Sequence, residues 1–215
     1  MLTLQQKLST TMKKIFSLLL SALLLTSFAS CGDDEPAKSE VETPDNPGQE
    51  TPDVPSDGKI LVAYFSWGGT TRRMATQIAE QTGGTLFEIV PVNPYPTEYT
   101  PCTQVALEER DSDARPAIRD RVGNMDEYDI IFIGCPVWWH SAPMIISTYT
   151  ESYDLKDKTV VPFCTYASTY RDETLQKIVS LTPDSRHLRG LGLRSGEAGN
   201  TSDIASWLKS INVIR

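Results

Sequence analysis

The feature that most constrains this chain is a set of separated apolar runs. They are Ile60-Leu61-Val62-Ala63-Tyr64-Phe65, Thr85-Leu86-Phe87-Glu88-Ile89-Val90, Ile130-Ile131-Phe132-Ile133-Gly134-Cys135 and Thr159-Val160-Val161-Pro162-Phe163-Cys164. Three of the four are unbroken rather than alternating. A strand that is apolar on both faces must be covered on both faces. Between the runs the spacing turns helical. Met74, Ala75, Ile78 and Ala79 lead to a stop at Gly83-Gly84; Leu175, Ile178 and Val179 mark another helix, and Ile204, Trp207, Leu208 and Ile211 a last amphipathic one. Residues 186–193 read as a weaker fifth strand, and Pro143 is placed to open the helix after the third. The stretch 91–125 predicts a helix near 102–110 and another opened by Pro116. Strand–helix alternation of this kind predicts an α/β fold, a parallel sheet with helices on both faces, and ligands outside the carboxyl ends of its strands.

Charge divides the chain of 215 residues into three parts. Of 28 acidic and 20 basic residues, the first 31 positions hold Lys7, Lys13 and Lys14 and no acid, and residues 32–57 hold nine acids and one lysine. That leaves 19 acidic and 16 basic residues for 58–215. Lys13-Lys14 followed by the apolar run Ile15–Leu25 has the layout of a secretory signal, for which Met12 is a suitable start. Ala29-Ser30-Cys31 closes it and resembles a bacterial lipobox, which implies cleavage before Cys31 and lipid on that residue. Residues 32–57, with five prolines and nine acids, form an acidic tether that cannot bury enough apolar surface to fold. Residues 58–215 are then one folded domain of an exported lipoprotein, expected in the cell envelope at the outer membrane or cell surface and held to the membrane only through Cys31. A nearly neutral body with no basic stripe argues against a nucleic-acid partner.

Three loops follow strands one, three and four. The first, Ser66-Trp67-Gly68-Gly69-Thr70-Thr71, sets hydroxyls and glycines at a helix start, where backbone N–H groups and the helix dipole favour an anion. It has no P-loop lysine, which argues against a nucleotide triphosphatase; a plain N-capped turn is the other reading. The second, Pro136-Val137-Trp138-Trp139-His140, carries two of the four tryptophans of the chain side by side. Indoles in a loop suit a flat aromatic ligand, unless one or both fold back as lids on the core. The third, Thr165-Tyr166-Ala167-Ser168-Thr169-Tyr170, mixes small hydroxyls with aromatic rings. A ligand with a phosphate at one end and a planar amphipathic ring at the other satisfies all three.

The sequence from about 58 to 213 resembles the flavodoxin family. Ser66–Thr71 aligns with that family's phosphate loop, with Gly68 in place of its usual threonine, and Pro136-Val137-Trp138-Trp139 matches a segment of its relatives. The resemblance implies a doubly wound five-stranded parallel sheet of order 2-1-3-4-5 with FMN as cofactor. It implies that Ser66, Trp67, Gly68, Gly69, Thr70, Thr71, Pro136, Val137, Trp138, Trp139, His140, Thr165, Tyr166, Ala167 and Ser168 bind that cofactor. The expected function is electron transfer through bound flavin, to a redox partner protein or a small acceptor such as a quinone, or as a reductase fed by NAD(P)H. A tethered binding module that has lost FMN is the alternative. A hydrolase is disfavoured, with no G-x-S-x-G, no metal-ligand cluster and only two histidines. Cys135 and Cys164 read as buried small hydrophobes, Cys102 as an exposed thiol, Glu108, Glu109 and Arg110 as a solvated helical face, and Tyr95 and Tyr99 as possible covers for the ring.

Overall fold

The computed structural model describes residues 58–215. The signal segment, Cys31 and the acidic tether lie outside the described residues. The apolar runs become strands β1 (Ile60–Tyr64), β2 (Thr85–Glu88), β3 (Ile130–Pro136) and β4 (Thr159–Tyr166), followed by β5 (Arg186–His187) and β6 (Leu191–Arg194). The helices are α1 (Thr70–Thr82), α2 (Tyr99–Asp111), α3 (Met144–Thr150), α4 (Arg171–Ser180) and α5 (Thr201–Ser210). Every strand pairing is parallel, in the order β2-β1-β3-β4-β5, with β6 also on β4. This is the flavodoxin-like order expected from the sequence.

The sheet is apolar on both faces because both are covered. Leu61, Ala63, Ile131 and Ile133 pack with Cys102 of α2, Ile145, Ile146 and Tyr149 of α3 and Ile178 of α4. Val62, Ile130, Phe132, Val161 and Phe163 pack on the other side with Met74, Ala75 and Ile78 of α1 and Ile204, Trp207 and Leu208 of α5. Gly134 lets these layers close, since a Cβ there would sit 2.0 Å from the Phe163 ring.

The fifth strand position is broken in two, and Pro162 gives the reason. The Leu188 N–H donates to the Val160 carbonyl, so this side of β4 faces the edge strand at residues 160, 162 and 164. Pro162 has no N–H to offer there, and the edge ladder is interrupted over Leu188-Arg189-Gly190 before resuming at Leu191. Gly190 permits the close approach to Pro162, because a Cβ on it would lie 2.7 Å from the Pro162 carbonyl oxygen.

The helix expected to open at Pro116 does not form. Val92 N–H donates to Ala117 O and Arg119 N–H to Val90 O, so this segment makes an antiparallel bridge between Pro91 and Ile118 instead. The helix expected near 102–110 is longer, running from Tyr99 to Asp111.

Candidate functional site

The three loops meet, as a doubly wound sheet requires, at the carboxyl ends of β1, β3 and β4. Pairing in register brings Pro136 of β3 beside Thr165 of β4, and the Val137 N–H donates to the Thr165 carbonyl at 2.9 Å. Both loops therefore leave the sheet at the same level.

The first loop ends at Gly69, which caps α1 in the left-handed conformation with φ 79°. Glycine takes that conformation without a steric cost. No side chain caps α1, so the N–H groups of its first turn remain free to bind an anion. The Ser66 hydroxyl, in the loop that leads into this helix start, is buried and has no hydrogen-bond partner. Open space surrounds Gly68 and Gly69 where a Cβ would stand. A buried hydroxyl without a partner is costly unless something binds it. The Thr71 side chain is engaged within the fold. It is buried, and its hydroxyl shares a 2.8 Å hydrogen bond with the hydroxyl of Thr165, also buried. That pair joins the first loop to the third.

The adjacent tryptophans point in opposite directions. Trp138 turns inward and sits edge-on to Phe65, with centroids 5.3 Å apart, and to Tyr95 at 4.9 Å. Trp139 turns outward, where its indole N–H donates to the Thr103 carbonyl of α2 at 2.7 Å and Arg110 lies 5.4 Å over its ring. The cause is a two-residue turn: Trp138 and Ser141 exchange both backbone hydrogen bonds, with Trp139 at φ 45° and His140 at φ 69°. Side-chain-bearing residues pay about 1–2 kcal/mol each for that backbone. The Trp139 bond to α2 holds one of them. The other, His140, stacks on Tyr170 with centroids 3.8 Å apart and planes 26° from parallel. Tyr170 itself has φ 63°.

A cleft of about 420 Å³ opens between these loops and α2, within the usual range for small-molecule sites. Of the residues expected to bind, Trp67, Val137, Trp138, Trp139, His140, Ala167 and Ser168 line it. Ser66, Gly68, Gly69, Thr70 and Thr71 form the adjoining helix entrance. Pro136, Thr165 and Tyr166 end their strands and are not part of the wall. The α2 side of the wall, Tyr99, Cys102, Thr103 and Ala106, together with Thr169 and Tyr170, completes the lining. The sequence marks Tyr99 as a cover and Thr169-Tyr170 as part of the third loop; Cys102, Thr103 and Ala106 gave no sign of forming a wall.

Three expectations about α2 change. Cys102 is buried, not exposed, and burial pushes its thiol up from the usual range. Glu109 is not a solvated surface acid: it accepts a 2.9 Å hydrogen bond from the Tyr95 hydroxyl, and burial holds its carboxyl above the ordinary carboxylate range. Arg110 covers an indole. Tyr95 packs edge-on against Trp138 and is not among the residues that line the cleft. Cys135 and Cys164 are buried as expected, opposite one another in register, and burial raises both thiols.

A family model described as Flavodoxin matches residues 59–211. Among solved structures, one described as a flavoprotein from Bacteroides eggerthii is 34% identical, with a TM-score of 0.63, covering 74% of this chain and 100% of its own. Another so described, from Bacteroides uniformis, is 36% identical with a TM-score of 0.63, covering 71% of this chain and 98% of that one. A flavoprotein in complex with FMN from Lactobacillus acidophilus is 25% identical with a TM-score of 0.57, covering 70% of this chain and 98% of its own. A search of the curated proteins found no match. Sheet order, loop placement and a match over most of the sequence agree: the chain belongs to the flavodoxin family.

Proposed function

We propose that this protein is an FMN-dependent redox protein that passes electrons through flavin held at the carboxyl edge of its sheet. The observation that carries this reading is the buried, unpartnered Ser66 hydroxyl in the loop that leads into the uncapped start of α1. A phosphate there would satisfy both at once. The similar Lactobacillus protein with FMN supports the choice of ligand.

FMN supplies one- and two-electron chemistry when bound. The chain's own residues anchor and surround it. Ser66, the first N–H groups of α1, and Thr70 would hold the phosphate. Trp67 and the loops at 136–140 and 165–168 would orient the ring and exclude water from it. No Asp, Glu, Lys or Arg lines the cleft among the described residues. An uncharged aromatic wall disfavours negative charge inside it, as burial disfavours a carboxylate, and so favours a strongly reducing bound cofactor.

The donor and acceptor belong to the same proposal: a partner protein or small acceptor, with NAD(P)H as a candidate reductant. So does the location. The basic-then-apolar leader and Cys31 support a lipoprotein of the cell envelope whose folded body stands off the membrane on residues 32–57.

The test is an absorption spectrum of the purified protein before and after added FMN, followed by dithionite reduction and reoxidation in air. Retained flavin bands that bleach and return are expected. A protein that stays colourless after FMN is added overturns the reading and leaves a binding module without cofactor.

A further inference from the structure

A second cavity, of about 1040 Å³, shares no residue with the cofactor cleft. It is a groove at the sheet edge, lying over the interruption between β5 and β6 and walled by residues of α4 and α5. Its floor is Pro162, Leu175, Val179, Leu191, Trp207 and Ile211, and Leu175, Val179 and Leu191 are only half-buried. The pairing of Val160 with His187 and of Cys164 with Gly192 gives its run along β4, four residue steps or about 13 Å. Charge differs between its two ends. At the β6 end Arg171 lies against Gly192 and pairs with Asp172 at 2.8 Å. Nearer β5, Arg189 makes no ion pair among the described residues. It is held in place all the same. Its carbonyl accepts from the Trp207 indole at 2.9 Å, and its guanidinium donates to the Ser210 hydroxyl at 2.6 Å. His187 adds no charge near neutral pH, because burial keeps its imidazole below the ordinary range. The groove therefore offers one unmatched, pre-positioned cation beside an apolar floor.

We propose that this groove binds a medium-chain carboxylate, one anionic head on a flexible apolar chain, with the head on Arg189 and the chain along the floor toward Arg171. The site and its ligand stand apart from the FMN reading. A guanidinium takes a carboxylate in a two-pronged, charge-assisted contact. Each methylene laid on Leu175, Val179 and Leu191 leaves water. A second anionic group at the far end of the chain would meet Arg171 already neutralised by Asp172, so nothing there rewards a dicarboxylate. An extended peptide finds no continuous ladder to join across residues 188–190.

The experiment is titration calorimetry of the purified protein with decanoate, octanoate, hexanoate and decanol, with and without saturating FMN. Decanoate should bind saturably, and FMN should not displace it. Each shortening by two carbons should lower the affinity about tenfold. Decanol has the chain without the charge, and should bind wild type about tenfold or more weakly than decanoate, the scale of a hydrogen bond to a charged group. Arg189→Gln should bring decanoate down to the level of decanol. Leu175→Gln should weaken both ligands. Decanoate that does not saturate, binds independently of chain length, is displaced by FMN or is indifferent to Arg189→Gln overturns the proposal. So does decanol binding as tight as decanoate, or an unchanged affinity for both in Leu175→Gln. A protein that takes no FMN but meets these expectations keeps the groove and loses only the cofactor reading.

Discussion

Ser66 and Thr71 lie five residues apart in one loop, and their hydroxyls meet opposite circumstances. Ser66 is buried without a partner, so Ser66→Ala should leave the cofactor-free protein as stable as before or slightly more so in a thermal melt. The same change should weaken FMN about tenfold or more, since a hydrogen bond to a charged group contributes about 1.5–3 kcal/mol. Thr71→Val acts in the other direction. It strands the Thr165 hydroxyl in the core, and denaturant unfolding should record a loss of about 1–3 kcal/mol. His187 adds a pH dependence. Burial holds its imidazole below the ordinary histidine range, and its Nε2 lies 2.8 Å from the Thr182 hydroxyl. The folded state therefore binds fewer protons than the unfolded chain just below pH 6.5, so stability falls as pH drops through that window. His187→Gln should flatten the slope of melting temperature between pH 5 and 7. The sequence revealed which loops held the chemistry-bearing groups. It did not reveal which hydroxyl is free, because the Thr71–Thr165 bond spans 94 positions.

Helix α2 shows most plainly why an element can be present in a sequence while its role is hidden. It buries only Cys102 and Ala106, so its apolar face is too thin to announce a wall of the cleft. Part of what holds it there comes from elsewhere: the Trp139 indole donates to Thr103 of α2 and the Trp67 indole to Pro96 just before it. Replacing both tryptophans by phenylalanine keeps the rings and removes the donors. Hydrogen exchange should then quicken across Tyr99–Asp111 while the amides of β1 and β3 keep their protection. The strands were legible for the converse reason: an unbroken run such as Ile130–Ile133, fully buried, has no alternative but a doubly covered sheet. The paired tryptophans were legible as a site but not as one inward and one outward ring, since that split comes from a turn with positive φ at Trp139 and His140, residues that rarely adopt it. The break between β5 and β6 was hidden too, although Pro162 and Gly190 both stood in view. Gly190→Ala should cost about 1–3 kcal/mol in denaturant unfolding, because its Cβ would run into the Pro162 carbonyl.

For the whole molecule, the two packed faces and the charge pattern make separate statements. The parallel sheet and both cores were readable because strand–helix alternation permits few alternatives; the order of the strands came from the family resemblance. The connection 91–125 was not, since its one bridge joins Pro91 to Ile118 and depends on the finished body. The excess of acidic over basic residues sits mostly outside that body, nine against one in residues 32–57 compared with 19 against 16 in 58–215. If Cys31 carries lipid, Cys31→Ser should abolish incorporation of labelled palmitate and release the protein from the membrane fraction, with its flavin spectrum unchanged. A sheet border with free amides would let one molecule stitch onto the next. Here that border is interrupted opposite Pro162, the Arg189 carbonyl is taken by the Trp207 indole and the Arg194 amide by Glu197. The β5–β6 edge therefore offers a second molecule no continuous seam to extend.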